Sequence, residues 1–453
     1  MVSMTLIGLL GLLVLFVLLG LRFPVALAMI FVGTVGTIVA TANRFLNVGM
    51  SADRAWARGL KTAMSNLSGE TFEAASNFNL LVIPMFILMG NLAGVSGMSR
   101  DLFTAAYRWI GHFRGGLASA TIAACAGFAA LSGSSLASAV TMGRVALPEM
   151  KRFKYAPELS TGAVAAGGTL GFLIPPSGGM IIYAILTDQS IGRLFIAGVI
   201  PGIVLTLLFI GTIWLLVRLK PAKGPAGERS TVAQRRQSLG AAIPILFVVG
   251  VTIGGMYTGF FTPVEASAVG AFLTLVVGIV RRSLRWSMAR EIILETMKST
   301  STVFLIIIGA FIFIPFMSLT GLAESMVIFL TSLPVGDLGI LIIVILIYMF
   351  LGTFLESIAM LVLTIPVVVA LATELNWDLV WFGIIVVIVL EMGMISPPVG
   401  INVFVVKSIA SEIPMRTIFK GIWPFWFAMA AMIALLVAFP SIAMFLPETM
   451  LGH

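Results

Sequence analysis

The stretch GFLIPPSGGMII, from Gly171 to Ile182, interrupts a long apolar run with two adjacent prolines and then two adjacent glycines. A second stretch of the same kind, GMISPPVGINVF, runs from Gly393 to Phe404. Proline has no amide hydrogen and clashes with the preceding turn, so each proline pair predicts the end of a helix. The glycines let the chain turn and begin a helix again. Each stretch therefore predicts a discontinuous helix, with unpaired carbonyls at one helix end and unpaired amides at the next.

The composition indicates a membrane protein. The chain has 453 residues, of which 59% are hydrophobic and 10% are charged, whereas a soluble chain averages about a quarter charged residues. Apolar runs of ~20 residues recur, and each is long enough to span a bilayer. This argues against a large soluble α/β protein and predicts an α-helical protein with many spans. The net charge of +8 comes from short basic loops, which indicate topology rather than nucleic-acid binding.

The two halves of the chain repeat one order of elements: span, interfacial arm, interrupted hairpin, broken helix, span. The proline pairs are 222 positions apart, and the hairpin serines Ser138 and Ser357 are 219 apart. The first half starts inward at Leu80 and the second starts outward at Thr302, so the halves are predicted to be inverted. The predicted fold class is an all-α polytopic membrane protein, an inverted repeat with two re-entrant hairpins and two broken helices. Secondary transporters have this internal symmetry.

Basic residues set the predicted orientation. The most basic stretches, 218–237 and 281–298, are placed in the cytoplasm, which puts both termini in the periplasm. The apolar N-terminus lacks a basic region and a cleavage site, so it is interpreted as a first transmembrane helix. The predicted domains are 1–78 (N-terminal scaffold helices and a surface segment), 79–217 (first repeat, with hairpin 115–149 and broken helix 161–187), 218–298 (cytoplasmic linker and two scaffold helices), 299–442 (second repeat, with hairpin 337–372 and broken helix 378–409) and 443–453 (C-terminal tail).

The breaks and hairpin tips predict a site for a cation beside an acid. Backbone amides and carbonyls that lose their helical hydrogen bonds within the bilayer must be buried in protein or must face water or a ligand. Carbonyl and hydroxyl oxygens suit a small cation, and helix N-termini suit a carboxylate. The first hairpin tip, SGSSLAS at 132–138, is rich in hydroxyls, and the second, GTFLES at 352–357, adds a carboxylate. The alternative for each serine or threonine is a bond to its own helix backbone.

Three acids lie in or beside apolar runs, where ionisable groups are functional candidates. Glu356, in the second hairpin, is the strongest candidate for a cation ligand, with a structural cap at the hairpin tip as the alternative. Glu391 precedes the second break and is interpreted as holding it in shape, with ion contact as the alternative. Glu265 is expected to cap a helix. His112 lies in a predicted interfacial arm and His453 is the last residue. The two histidines are therefore not expected to bind one metal ion together.

Five motifs together resemble the large membrane subunit of tripartite ATP-independent periplasmic (TRAP) transporters, the DctM type. The resemblance covers essentially the whole chain. The motifs are LSGSSLASAVTMG (131–143), GGTLGFLIPPSGGMIIYA (167–184), FTPVEASAVGA (261–271), FLGTFLES (350–357) and ISPPVGINVFV (395–405).

The resemblance implies a sodium-driven importer in the bacterial inner membrane, not an enzyme. It implies that organic acids, such as C4-dicarboxylates or sialic acid, are delivered by a periplasmic substrate-binding protein and moved by an elevator mechanism. A small four-helix membrane subunit is the implied partner, and Na⁺ is the coupling ion, with no other cofactor. The implied first sodium site is walled by Ser134, Ser135, Ser138, Pro175 and Gly178. The implied second site is walled by Gly352, Thr353, Glu356, Pro397 and Gly400, and the implied substrate contacts are Ser132, Thr169, Ser177 and Asn402.

Two alternatives remain at this stage. A stand-alone sodium/dicarboxylate symporter has the same architecture but needs no binding protein. An intramembrane enzyme would need a catalytic pair, and the hairpin serines have no nearby histidine or lysine. The breaks also differ, because Ser177 in the first corresponds to Val399 in the second, so the two sodium sites need not be equivalent. Replacing Glu356 or Ser138 by alanine is expected to weaken sodium dependence.

Overall fold

The computed structural model describes residues 3–450, except for the side chains of residues 286 and 287. This part of the chain is 83% helical and has no strand, which confirms the predicted all-α fold class. His453 and the end of the predicted C-terminal tail lie outside the described residues. The helices are α1 Met4–Gly20, α2 Val25–Asn47, α3 Ala52–Ser76, α4 Val82–Val95, α5 Met98–Ile110, α6 Gly116–Ser132, α7 Ser135–Arg152, α8 Pro157–Leu173, α9 Gly178–Leu186, α10 Ile191–Leu219, α11 Val232–Tyr257, α12 Pro263–Val280, α13 Trp286–Thr320, α14 Leu322–Thr331, α15 Gly336–Gly352, α16 Ser357–Glu374, α17 Leu379–Ile395, α18 Ile401–Ile409, α19 Met415–Ala438 and α20 Ser441–Thr449.

Nine helices within the described residues are long and apolar enough to cross a membrane. The helix α1, predicted as a span, is apolar but has only 17 residues. Since each span needs about 20 apolar residues, the chain is a multi-pass membrane protein.

The internal repeat is visible in the helix lengths. The hairpin helices α6 and α15 have 17 residues each, and α7 and α16 have 18 each. The broken helices are α8–α9 and α17–α18, with 17 and 9 residues in both halves. The interruptions fall at the predicted prolines and hairpin tips, which confirms the repeat. The predicted pairing of Ser138 with Ser357 is wrong, because the second hairpin helices begin at Ser135 and Ser357, which are 222 positions apart like the prolines.

Two polar stretches differ from the sequence predictions. The predicted basic loop 281–298 is helical from Trp286 onward, since its Met, Ala, Arg, Glu and Leu residues are strong helix formers without Gly or Pro. The predicted C-terminal tail 443–453 falls largely within α20, whose Ala443 and Met444 are buried. Glu265, in contrast, closes a capping box with Thr262 at the start of α12, which confirms its predicted role.

The chain forms two compact units. The first unit comprises residues 3–81, 298–344 and 358–379, and the second comprises 82–297, 345–357 and 380–450. In the first unit, small residues allow close helix approach: a Cβ on Gly33 would lie 2.7 Å from the Ile312 carbonyl oxygen, and one on Gly309 would lie 2.8 Å from that of Ala26. The predicted division into five domains stays a prediction.

The second unit is built around α8, which packs against α6, α7, α10, α18 and α19. Leu159 through Leu173 of α8 are all buried. A Cβ on Gly162 would lie 2.3 Å from the Gly421 carbonyl oxygen of α19, so only glycine fits this crossing. The second unit therefore contains both broken helices and both hairpin tips in one packed body.

Candidate functional site

The first hairpin tip lies directly against the first break. The Gly178 amide, at the start of α9, donates a hydrogen bond of 3.2 Å to the Gly133 carbonyl at the tip. Gly133 has a φ of 58°, and a Cβ there would lie 2.8 Å from the Pro176 carbonyl oxygen. A Cβ on Gly171 would lie 2.5 Å from the Ser134 carbonyl oxygen. Glycine is therefore required on both sides, because a left-handed turn meets a close backbone approach.

The hydroxyls of the first half are bonded within that half. Ser177 donates to the Phe172 carbonyl at 2.5 Å and accepts from the Met180 amide at 3.4 Å, which closes the break and caps α9. Thr169 donates to the Ala166 carbonyl at 2.6 Å. Ser132 and Ser138 are bonded to each other at 2.9 Å. Ser134 accepts from the Ala137 amide at 3.3 Å and caps α7. These hydroxyls therefore satisfy part of the local backbone that the break and the tip expose.

The second break is constructed differently. Its helix α18 starts at Gly400, which has a φ of 64° and no side-chain cap. Ser396 donates to the Met392 carbonyl at 2.6 Å and accepts from the Trp426 indole at 3.1 Å. Pro397 and Pro398 are exposed, whereas both prolines of the first break are buried. The second break therefore has an accessible side that the first lacks.

The second hairpin tip also lies against its broken helix. A Cβ on Gly393 of α17 would lie 2.7 Å from Gly352 Cα. Thr353 is buried and donates to the Phe350 carbonyl at 2.8 Å, while Glu356 is half-buried. The first tip therefore contacts its break directly, whereas the second contacts α17 at Gly393, before the proline pair. The two sodium sites stay predictions.

A buried carboxylate joins residues from the two halves. Glu391, on α17, is 1% exposed, and its Oε1 accepts a hydrogen bond of 3.2 Å from Ser357 at the start of α16. Ser135, Asn402 and the second acid Glu356 also lie near this carboxylate. The second carboxylate oxygen of Glu391 and both amide atoms of Asn402 are buried without a hydrogen-bond partner among the described residues.

The sequence analysis interpreted Glu391 as holding the second break in shape, and it did not include Ser357 in the site. The offset of 222 that relates the proline pairs also relates Ser135 to Ser357 and Thr169 to Glu391. If this offset is applied along the whole repeat, it identifies both Glu391 and Ser357 from the sequence. Within the described part of the chain, no group of three or more His, Cys, Asp and Glu residues could hold a metal ion.

The architecture defines a class of protein. Two inverted halves, each with a discontinuous helix that meets a hairpin tip around buried polar groups, are characteristic of secondary transporters. Residues 12–442 match the family model described as "Tripartite ATP-independent periplasmic transporter, DctM component", and the chain belongs to this family.

The curated relatives are permease subunits. The chain is 34% identical over 387 residues to the C4-dicarboxylate TRAP transporter large permease protein DctM of Pseudomonas aeruginosa, covering 85% of this chain and 90% of that protein. It is 32% identical over 398 residues to the sialic acid TRAP transporter large permease protein SiaM of Vibrio cholerae, covering 86% and 92%. These relatives are transporter subunits and not enzymes, and this chain is similar to them over most of its length.

Solved structures support the fold alone. The YdaH transporter of Alcanivorax borkumensis superposes with a TM-score of 0.63 at 15% identity, covering 85% of this chain and 90% of that one. MtrF of Neisseria gonorrhoeae superposes with a TM-score of 0.56 at 13% identity, covering 84% of each chain. At such low identity, the likeness extends to the arrangement of helices and not to the residues of the site.

Proposed function

We propose that this chain is the large subunit of a sodium-coupled TRAP transporter that imports an organic acid across the bacterial inner membrane. The single observation that carries the proposal is the pairing of each hairpin tip with a broken helix, with oxygen-rich groups at both contacts. Hard oxygen ligands suit Na⁺, and a bound cation offsets the charge of a carboxylate substrate beside it. Relatives named for C4-dicarboxylates and for sialic acid support an organic acid as substrate.

The two sodium sites in this proposal follow the two halves. The first uses the tip at Ser134, Ser135 and Ser138 with the break from Pro175 to Gly178. The second uses Gly352, Thr353 and Glu356 with the break from Pro397 to Gly400. The substrate lies next to these sites, where sodium charge offsets its carboxylate. Movement of the site across the membrane in an elevator mechanism is part of the same proposal, as are periplasmic termini.

The proposal includes two protein partners. A periplasmic substrate-binding protein delivers the organic acid, and a small membrane subunit stands beside this chain. The family description itself names a tripartite system. One longer relative, the isethionate TRAP transporter permease protein DctMQ of Oleidesulfovibrio alaskensis, matches this chain over only 59% of its length, which supports a further membrane component in such systems.

Uptake in proteoliposomes tests the proposal. The chain is reconstituted with its small subunit, and labelled C4-dicarboxylates and sialic acid are offered with the binding protein, with and without an inward sodium gradient. We expect accumulation of one acid class that needs both the sodium gradient and the binding protein. Uptake driven by the chain alone, without a binding protein, would instead assign a stand-alone symporter. Equal uptake with choline in place of sodium would remove the coupling ion from the proposal.

A further inference from the structure

We propose that a groove between α1, α2 and the start of α3 binds one acyl chain of an anionic phospholipid, whose phosphate group lies at the arginines around the end of α2. The inference goes beyond the proposed transport function, because it depends neither on sodium coupling nor on the substrate. All the residues that carry it belong to the first compact unit.

The groove is apolar along most of its length. Its cavity has a volume of about 360 Å³, and its walls include Leu10 and Val14 of α1 and Phe31 and Val35 of α2. These four side chains are exposed, so within the described residues the groove stays uncovered. Lipid tails are as apolar as these side chains, so the bilayer offers a matching occupant.

Two glycines leave room for the aromatic floor of the groove. Phe316 of α13 lines the groove and is 0% exposed. A Cβ on Gly11 of α1 and one on Gly36 of α2 would each lie 2.5 Å from an atom of the Phe316 ring. The ring therefore fits between the two helices only because neither glycine has a side chain, and the groove lies open above it.

The dimensions of the groove fit a single hydrocarbon chain. Along α2 the lining extends from Phe31 to Leu46, which is ~22 Å at 1.5 Å per residue, and the hydrocarbon of one leaflet is about 15 Å thick. The volume of about 360 Å³ over that length gives a mean cross-section of ~16 Å². An α-helix, 10–12 Å across, has a cross-section of roughly 80–110 Å². The groove therefore accommodates one flexible chain rather than a helix of a partner subunit.

The polar groups of the lining lie at one end of the groove. They are the amide of Asn43, near the end of α2, and the indole of Trp56, near the start of α3. The other end, at Val14 and Phe31, is apolar. Tryptophan is typical of the boundary between membrane and water. An amphiphile with its polar head at Asn43 and Trp56 matches this polarity.

Basic residues surround the polar end. Residues 44–61 contain four basic residues and one acidic residue. Arg44 lies in the last turn of α2, and the guanidinium group of Arg58 lies 5.0 Å from the centre of the Phe45 ring in the same turn. Among the described residues, no ion pair involves any of the four basic side chains. Clustered basic residues at a membrane surface bind anionic head groups, so the phosphate of an anionic lipid complements this end.

Lipid counting by native mass spectrometry on the purified full-length chain tests the site. The delipidated chain is titrated with phosphatidylglycerol, or with phosphatidylcholine of the same acyl chains, which has no net charge. We expect one tightly held phosphatidylglycerol per chain. Val35→Trp places a large side chain in the groove and should weaken the binding of both lipids at least about tenfold, which is the loss of two buried CH₂ groups. The control is Val276→Trp in α12, where the valine is 37% exposed against 41% for Val35, and it should keep the wild-type count.

A second pair of variants tests the head-group end, and it keeps the test intact if Val35→Trp does not fold. The double variant Arg44→Gln/Arg58→Gln should bind phosphatidylglycerol roughly 25-fold more weakly, since each basic residue at an anionic surface contributes about fivefold. Its binding of phosphatidylcholine should not change. The matched control is Arg100→Gln/Arg236→Gln, which removes two exposed charges elsewhere and should bind both lipids like the wild type.

Three results would overturn the inference. The first is a wild-type lipid count in both Val35→Trp and the double arginine variant, and the second is an equal loss in the controls. The third is displacement of the lipid from the wild type by the small membrane subunit together with weaker binding of that subunit to Val35→Trp, which would make the groove a protein interface. Uptake without a sodium gradient would contradict the proposed transport function and leave the lipid site in place.

Discussion

The two broken helices have the same lengths but not the same chemistry. In the first, Ser177 caps α9 and both prolines are buried. In the second, Gly400 stands at the cap of α18 without a side-chain bond, and both prolines are exposed. The buried polar atoms that lack a partner around the site, on Glu391 and Asn402, also belong to the second half.

The difference shows that a repeated backbone can carry unequal roles. When the polar groups of a break are hydrogen-bonded within the protein, burying them adds no further free-energy cost. The first half is therefore suited to hold a fixed shape. The second break keeps buried polar atoms of Glu391 and Asn402 without a hydrogen-bond partner among the described residues, so we expect the second half to respond more readily to its surroundings. The following variants test this division, from the largest expected effect to the smallest.

The largest difference in stability between the two halves is expected for substitutions where a hairpin tip contacts its broken helix. In Gly171→Ala, the new Cβ would lie 2.5 Å from the Ser134 carbonyl oxygen, inside a buried break. We expect a loss of ~1–3 kcal/mol in the free energy of unfolding, as overpacking a filled interior usually costs, and loss of uptake. In Gly393→Ala the Cβ meets Gly352 Cα at 2.7 Å, and we expect a smaller loss, because the tip there lies beside an accessible break. Thermal unfolding in nanodiscs measures both.

The matched control for these substitutions is Gly94→Ala, in α4. A Cβ there meets nothing within 4 Å, so the variant should unfold like the wild type. Equal destabilisation by Gly171→Ala and Gly393→Ala would contradict the proposed division between a rigid and a responsive half.

The hairpin tips give the second test. Glu356 and Ser134 are related by the offset of 222. We expect Glu356→Gln to weaken the apparent sodium affinity of uptake about tenfold or more, as expected for loss of a charged ligand. Ser134→Ala should mainly cost ~1 kcal/mol of stability, because its hydroxyl caps α7. The sodium dependence of initial uptake rates, together with thermal unfolding, measures both effects. A larger shift in sodium affinity for Ser134→Ala than for Glu356→Gln would reverse the roles of the halves.

The sequence predicted the positions of the breaks because proline pairs and glycines act locally, whatever surrounds them. It predicted less about the side chains. Whether Thr169 bonds its own helix or a ligand depends on distances that no local pattern encodes. Glu391 received a structural interpretation because its neighbours Ser135 and Asn402 come from elements 256 positions before and 11 after it, and only the fold brings them together.

The cap of the first break gives the third test. Ser177→Ala removes both the bond to the Phe172 carbonyl and the one from the Met180 amide. We expect a loss of ~1–3 kcal/mol, since a buried acceptor is left unpaired, and an unchanged KM for the substrate. Ser190→Ala is the control, because Ser190 caps α10 from an exposed position and should cost less. A raised KM without a change in thermal unfolding would instead assign Ser177 to the substrate, as predicted from sequence.

The smallest effect is expected where the two halves meet at the surface. Lys151, next to the end of α7, forms an ion pair of 2.8 Å with Glu412, which follows α18. The hydrogen bond from Lys151 holds the pKa of Glu412 below its ordinary value. Because the folded pKa is lowered, any stability from this pair is present above the unfolded pKa and is lost as pH falls through the folded pKa. Both side chains are more than half exposed, so solvent screens the pair. We expect Glu412→Gln to unfold within a degree or so of the wild type at neutral pH, and this small difference to vanish once the pH falls below the lowered pKa of Glu412. A large loss at neutral pH, measured by thermal unfolding, would mean that this surface contact, rather than the buried cluster, couples the halves.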